Sequence, residues 1–366
     1  MVLILFVITI LLALAEHLLV NYGECEISIN KEKILNVIGG GYLMEYFTRN
    51  KIFIPSACGG KATCGHCKIK ILSGGGSILP TEEVYINKHE KEAGIRLSCQ
   101  VKVKNDLEIY IQEHLLETKM YKTKVESISP LTHDIKQIIL KLIEPETISM
   151  KPGQYIQIAI PGTEEFRAYS VASAISQKDK VELDIRLVPG GLCSTYIHRV
   201  LEVGDKATIT GPFGDFYLNE ASDKNIICIA GGCGMAPIRS ILFYLTERNM
   251  PRKVMYFFGA RSKKDLFYTE ELKELERKYS NFIYIPALSE PKASDKWDGE
   301  VGLITNVLEK YITNQNHFEV NITATYEESV TNVESYLCGP PPMIDAAIAV
   351  LNKKGINNED IYFDKF

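Results

Sequence analysis

Four cysteines constrain this chain more than any other feature. Cys58, Cys64 and Cys67 share one loop with C-x5-C-x2-C spacing, and Cys99 follows at a distance, behind Ser98. Two ferric ions bridged by two sulfides take four soft ligands. A glycine-rich loop, here Gly59, Gly60 and Gly65, lets backbone amides turn inward and stabilise the negative charge on the sulfurs. The spacing therefore predicts a [2Fe-2S] cluster on these four thiolates. Structural zinc is the alternative, but it usually takes paired C-x2-C knuckles, and Cys99 has no such neighbour. His66 sits inside the loop and, with four cysteines available, is read as an exposed loop residue. Cys25, Cys193 and Cys228 lack ligand spacing and are read as small buried or loop thiols.

A chain of 366 residues is long for one core, and the motif order argues for three folded domains behind an N-terminal segment. The expected divisions are 1–22, 23–116, 117–220 and 221–366. A net charge of −5 gives no reason to expect a nucleic-acid partner. Nine cysteines spread over so long a chain, four of them in a metal-ligand pattern, point to a reducing compartment rather than a disulfide framework. Met1 to Val20 is apolar except for Thr9, Glu16 and His17, and a helix of that length reaches about 30 Å, one hydrocarbon core. An uncleaved single-pass anchor in the inner membrane is expected, with the folded domains on the cytoplasmic side. The alternative, a secretory signal peptide, lacks a preceding Lys or Arg and an evident cleavage motif.

Beyond the anchor, Glu26–Asn30 alternates like a strand. Lys33–Thr48 has helical spacing of Leu35, Ile38, Leu43, Tyr46 and Phe47, interrupted by Gly39 to Gly41. A strand pair and a helix are expected before the cysteines. Short alternating stretches broken by Pro130, Pro145, Pro152 and Gly153 then read as an antiparallel barrel or sandwich, ending in Val181–Val188 and Lys206–Thr210. From Lys224 the pattern changes. Ile226–Ala230, Val254–Phe258, Phe282–Ile285 and Glu334–Leu337 are short apolar strands separated by helical stretches, the signature of a doubly wound α/β domain. The charged run Glu270–Lys278 is read as a solvated helix face.

Arg167-Ala168-Tyr169-Ser170 begins a strand on which residues two apart share a face. A guanidinium suits a pyrophosphate, an aromatic ring suits a flavin plane, and a hydroxyl can reach the flavin edge. The turn Pro189–Thr195 opens a helix near Ser194, so amides around Gly191, Cys193, Ser194 and Thr195 can meet a phosphate. Gly211-Pro-Phe-Gly214 follows in order. Next, the strand ending at Ala230 runs into Gly231-Gly232-Cys-Gly234-Met235-Ala-Pro237, a helix start suited to a dinucleotide phosphate although it is not a GxGxxG. Cys338-Gly339-Pro340 also follows a strand, placing Cys338 at the carboxyl edge of the sheet. For each glycine segment taken singly, an ordinary turn remains the alternative.

Taken in order, the cysteine set, RAYS, GPFG, GGCGMAP, GARS, CGPPPM and a terminal aromatic resemble the F subunits of sodium-translocating NADH:quinone oxidoreductases over essentially the whole chain. The resemblance implies a membrane helix, a β-grasp ferredoxin domain, an antiparallel β-barrel for FAD and an α/β Rossmann-like nucleotide domain. It implies hydride transfer from NADH to FAD, single electrons to the [2Fe-2S] cluster, and onward transfer to quinone through membrane subunits of a respiratory complex. Arg167, Tyr169 and Ser170 would hold FAD, Gly231–Pro237 and Cys338–Pro341 would frame the nucleotide, and Phe366 would cover the flavin, with Ser170, Cys338 and Phe366 nearest the chemistry. NADH is the implied donor, although Arg261, Lys263 and Lys264 form a basic group that suits a 2'-phosphate. The chain departs from the family in two places: only a short loop precedes the RAYS motif, where the family usually carries an insertion, and no tail follows the terminal aromatic. A reductase component serving an oxygenase and a non-catalytic electron-carrier module are the alternatives.

Overall fold

In the computed structural model, which describes residues 4, 6, 22–56, 58–116, 118–163, 165–312 and 332–366, the alternation at the start of the first domain becomes a hairpin. β1 (Glu24–Ile29) pairs antiparallel with β2 (Lys33–Ile38) across a turn in which Asn30 and Lys31 have φ of 53° and 62°. The helical spacing read over Lys33–Thr48 is thus half right. Its first part is a strand, because the turn sends it back along β1 with Leu35 buried, and the helix α1 (Leu43–Arg49) starts only after the glycines. Leu43, Tyr46 and Phe47, spaced i, i+3, i+4, are the buried face of that helix. The expected anchor, Met1–Val20, lies outside the described residues apart from Ile4 and Phe6. Among the described residues no helix is long and apolar enough to cross a membrane.

The chain forms two compact units, Met1–Met120 with Pro161–Ala168, and Tyr121–Ile160 with Tyr169–Phe366. The first unit contains β1, β2, β3 (Lys68–Ser73), β4 (Ile95–Leu97) and β5 (Leu107–Tyr110) in the order β2-β1-β5-β3-β4. β1 and β5 run parallel and the other pairs antiparallel, and α1 packs in the same core. This is a β-grasp sheet.

The other two sheets belong to the second unit, apart from the first residues of β6 and β9, Lys119–Met120 and Phe166–Ala168. One has the order β10-β7-β6-β11-β8-β9, from β6 (Lys119–Pro130), β7 (Ile135–Glu144), β8 (Tyr155–Ala159), β9 (Phe166–Ser170), β10 (Lys180–Arg186) and β11 (Lys206–Phe213). A bridge between Val171 and Leu183 joins the end of β9 back to β10 and closes the barrel. The other sheet is wholly parallel, in the order β15-β14-β13-β12-β16-β17. Its strands are β12 (Asn225–Gly231), β13 (Val254–Ala260), β14 (Phe282–Leu288), β15 (Glu300–Val301), β16 (Val333–Gly339) and β17 (Ile361–Lys365).

The short helix α2 (Leu192–Arg199) follows β10, and α3 (Met235–Thr246), α4 (Thr269–Lys278), α5 (Ile304–Tyr311) and α6 (Pro341–Lys353) belong to the parallel sheet. Residues of α3 and α4 pack in one core and residues of α5 and α6 in another, so the sheet is covered on both faces. Ile135, Phe216 and Leu218 from the barrel side share the first of these cores with Tyr256, Phe258 and Tyr336. Barrel and parallel sheet are therefore one packed body. In the terminal edge strand, Tyr362 stacks on Tyr336 with ring centroids 5.0 Å apart, while Phe363 is 48% exposed. Alternation along β17 turns Tyr362 inward and Phe363 out.

Candidate functional site

In the first unit the cysteines stand as two pairs. The sulfurs of Cys58 and Cys64 are 3.4 Å apart and those of Cys67 and Cys99 are 3.3 Å apart. Among the described residues no three metal-ligating side chains converge on one point. Two pairs are what two metal ions, each taking two protein thiolates, require, so the donor set fits a binuclear cluster better than a lone zinc. In each pair one thiol is pushed down and the other up, as for two sulfurs sharing a proton: the thiol hydrogen bond from Cys64 lowers Cys58 to about 4, and Cys67 likewise lowers Cys99. Cys67 and Cys99 are buried, whereas Cys58 and Cys64 lie nearer the surface.

The cradle needs its glycines. Gly65 has a φ of +70°, and a Cβ there would come within 2.7 Å of the Tyr85 ring. Gly59 has a φ of +65°, and its Cβ would lie 2.5 Å from Nη1 of Arg167. Cys99 follows β4, which is held by a buried ion pair absent from the sequence reading. Arg96 donates to both Glu82 oxygens at 2.8 and 2.6 Å and to the carbonyls of Gly75 and Gly76, while the amides of Leu97 and Leu79 also donate to Glu82. With every polar atom satisfied, such a pair orders its loop. Arg96 and Glu82 are fourteen residues apart and carry no motif. In the same unit Arg167 pairs with Glu165 at 2.6 Å, and Glu165 with Lys61 at 3.3 Å. These cations, Arg167 first, hold the Glu165 carboxyl below its usual range.

In the second unit Tyr169 and Ser170 end β9 only partly buried, and no hydrogen bond of the Ser170 side chain occurs among the described residues. That hydroxyl is available to a ligand. Gly191 caps α2, but Ser194 turns its hydroxyl back onto Val188 and Gly191, Cys193 points into the barrel core, and Gly211 packs on Ile156. The Thr195 amide already donates to the Gly191 carbonyl at 2.9 Å. A phosphate at this turn would therefore meet the earlier backbone amides of α2, not the Ser194 or Cys193 side chains.

The parallel sheet reverses strand order at β12, which has β13 on one side and β16 on the other. Ligands bind such sheets in the crevice at the carboxyl ends of those strands. A cavity of about 870 Å³ opens there, lined by Gly231, Gly232, Arg261, Pro340 and Met343 among others, within the range of small-molecule sites. Arg261, Lys264 and Lys292 give one wall positive charge, with Glu290 beside them. Gly234, Met235, Pro237 and Cys338 do not line it. A Cβ at Gly234 would sit 2.0 Å from the Cys338 carbonyl oxygen, so this glycine allows two strand ends to meet. A Cβ at Gly339 would lie 2.8 Å from Met343. Cys338 is fully buried, and burial pushes its thiol well above the usual range. Phe366 donates its amide to the Gly339 carbonyl at 3.3 Å and is 57% exposed.

Arg186, His133 and Asp134 line the cavity from the barrel and were not anticipated. Arg186, at the end of β10, has its guanidinium 2.9 Å from where a Gly232 Cβ would be, and its Nε is 3.1 Å from Asp134. His133 stands 3.5 Å from Asp265 and 3.8 Å from Asp134. Asp364 was also missed. It pairs in register with Cys338, and burial raises its carboxyl to about 6. A charged residue at a strand end just before a glycine turn, as Arg186 is, was the available signal.

Family models match three segments: a 2Fe-2S iron-sulfur cluster binding domain over residues 27–104, an oxidoreductase FAD-binding domain over 122–217 and an oxidoreductase NAD-binding domain over 228–348. The F subunit of the Na(+)-translocating NADH-quinone reductase of Neisseria meningitidis is 36% identical over 404 residues, covering 99% of this chain and 96% of the relative. That of Histophilus somni is 37% identical over 403, covering 98% and 96%. Both alignments run longer than the 366 residues of this chain, so the relatives carry internal residues that it lacks. Among solved structures, an Amycolatopsis cytochrome P450 reductase superposes with a TM-score of 0.73 at 25% identity, covering 93% of this chain and 98% of that one.

Proposed function

The chain belongs to the family of Na(+)-translocating NADH-quinone reductase F subunits, and on that basis we propose that it oxidises NADH at the cavity of the second unit and delivers the electrons, through FAD and a [2Fe-2S] cluster, to a quinone-linked acceptor in the membrane. The observation that carries this reading is the cavity at the strand-order reversal, walled by backbone from two βα turns and by Arg186 from the barrel. FAD, when bound, lets a two-electron hydride donor serve a one-electron cluster. The protein's own residues supply position. The close-packed turns at Gly231, Gly232 and Gly339 admit a pyrophosphate to backbone amides, while Arg186 and Arg261 offer charge to it. Arg167, Tyr169 and Ser170 hold the flavin, with Ala168 between them, and the open backbone amides at the start of α2, between Gly191 and Thr195, meet its phosphate. Phe366, tied through its amide to Gly339, covers the flavin ring and gives way to the nicotinamide. Cys58 and Cys64 hold one iron, Cys67 and Cys99 the other. Cys338, buried away from the cavity and in register with Asp364, supports the Gly234 turn from behind.

Met1–Val20 anchors the chain as a single pass, and its partners are membrane subunits of a respiratory complex. The test is purification in mild detergent, with and without Met1–Tyr22. The full chain is expected to co-purify with membrane subunits and to drive NADH-dependent quinone reduction. The truncated chain is expected to keep its flavin and reduce only artificial one-electron acceptors. Quinone reduction by the truncated chain in isolation would overturn the anchored reading. The likeness to a P450 reductase favours a second reading, a reductase for an oxygenase, and a co-purifying soluble haem or iron oxygenase would support that instead.

A further inference from the structure

Inside the second unit a polar cluster joins the barrel to the parallel sheet at some remove from the cavity wall. Asp184 on β10 is buried, and its Oδ1 accepts the Tyr268 hydroxyl at 2.9 Å, while Oδ2 has no hydrogen-bond partner among the described residues. The same Tyr268 oxygen accepts from Gln137 of β7 at 2.8 Å. Tyr268 is the N-cap of α4 with a φ of 56°, a left-handed conformation that costs energy for a bulky side chain and persists only where surroundings hold it. Its ring lies under the Arg239 guanidinium, 4.2 Å from the centroid. Arg239, on α3, donates to Glu182 of β10 at 2.8 Å and to both oxygens of Glu271 of α4 at 2.9 and 3.0 Å. One helix turn before Arg239, α3 begins after the Gly231–Gly234 loop, whose Gly231 and Gly232 line the cavity.

We propose that Asp184 is a positioning residue for hydride transfer, which through Tyr268 and Arg239 sets how the nucleotide loop at the start of α3 is presented to the barrel. The proposal rests on the reading of the cavity as a nicotinamide site, and three observations support it. Asp184 and Arg186 are two apart on β10 and so share a face, and Arg186 is the residue that meets Gly232. The hydroxyl of Ser240, next to Arg239, donates to the Ser173 carbonyl of the barrel at 2.9 Å, so α3 is tied there twice. And the cluster has more acid than base: Asp184, Glu182 and Glu271 face a single guanidinium, with the Tyr268 and Tyr256 hydroxyls and the Cys233 thiol as the other ionisable neighbours.

Burial, more than any neighbouring charge, raises the Asp184 carboxyl to about 7. While it keeps its proton, Arg239 divides between Glu182 and Glu271 as observed. Losing the proton puts a third carboxylate beside those two, which competes for Arg239 and tightens its hold on Tyr268, drawing the start of α4 and the loop end of α3 toward β10. Hydride transfer depends steeply on the separation and angle of the reacting atoms, so a small displacement of the loop lowers its rate.

The experiment follows flavin bleaching by saturating NADH in a stopped-flow instrument on both sides of the Asp184 titration, from about pH 5.5 to about pH 8.5. It compares the wild-type holoprotein, Asp184→Asn and Tyr268→Phe, with deuterated NADH to identify the hydride step. Asp184→Asn is expected to hold the low-pH rate constant across the range, while the wild type falls roughly tenfold. Tyr268→Phe is expected to be slower at every pH, with flavin content and the NADH KM unchanged. The other ionisable groups that line the cavity, His133, Asp134 and Asp265 among them, are common to wild type and Asp184→Asn, so the difference between the two profiles is the readout. Superimposable profiles would overturn the proposal, as would a Tyr268→Phe variant with the wild-type rate. A wild type that NADH does not bleach at all would overturn the nicotinamide reading itself, and a normal bleach with coincident profiles only this one.

Discussion

The cluster loop and the nucleotide cavity were both expected from short motifs, and the structure treats those motifs in opposite ways. In the cluster loop the side chains named in advance are the ones brought together: Cys58 with Cys64 and Cys67 with Cys99, at 3.4 and 3.3 Å. At the cavity, several side chains named in advance turn inward. Met235, Pro237 and Cys338 are core residues, while Arg261 and Pro340 line the wall together with glycine backbone and with Arg186, His133 and Asp134, which lie far away in sequence. A soft metal centre must be gripped by particular atoms, so its motif is a list of ligands. A dinucleotide is gripped largely by main-chain amides at helix starts, so its motif records where side chains must be small or buried.

The largest test of this contrast is Cys64→Ala. It is expected to abolish the cluster, read as loss of its visible absorbance and of acid-labile sulfide, while NADH still bleaches the flavin. Loss of flavin in the same variant would show that the two regions are not separable. Next is the support behind the cluster. Glu82→Ala leaves Arg96 charged and buried, which typically costs about 3–5 kcal/mol. Thermal loss of the cluster absorbance should move to lower temperature by an amount matching that cost, and an unmoved transition would mean that the ion pair does not hold β4.

On the other side of the comparison, Asp184 predicts how stability varies with pH. Its folded-state carboxyl is raised above the ordinary value of 3.8 to about 7, so the folded state binds the proton more tightly than the unfolded chain. The stability this contributes is complete below about pH 4 and is lost as pH rises through about 7. Each tenfold difference in proton affinity between the folded and unfolded chain is worth about 1.4 kcal/mol. Above pH 8, Asp184→Asn should therefore unfold at a higher temperature than wild type, by the equivalent of up to about 4 kcal/mol, and it should show no such advantage near pH 4. A constant difference at both pH values would point to packing instead.

The smallest expected effect belongs to Phe366→Ala. Ring stacking is worth about 0.5–1.5 kcal/mol, so removing the ring should tighten binding of the oxidised nucleotide by roughly threefold to tenfold and slow turnover through product retention. Titration of the flavin spectrum with NAD+ measures it, and an unchanged affinity would leave Phe366 a surface residue.

The sequence by itself determined the parts whose signals are local. Period-two alternation marked the barrel strands and short apolar runs marked the parallel sheet, because burial of one face or of both leaves its imprint within a few residues. The cysteine spacing picked out, for a similar reason, the four sulfurs that the structure brings together in pairs, since one loop supplies three of them. Tertiary structure alone decided the rest. Lys33–Ile38 carries a helical spacing but became a strand because β1 offers a partner edge, and pairing outweighs propensity. That Gly234 must be glycine follows from a carbonyl more than a hundred residues later in the chain. Arg96 with Glu82, Arg186 with Gly232, and Asp184 with Tyr268 and Arg239 are unions of residues from separate elements. Burial gives each polar group there its energetic weight, and burial is a property of the folded neighbourhood, not of the residue or its neighbours in sequence.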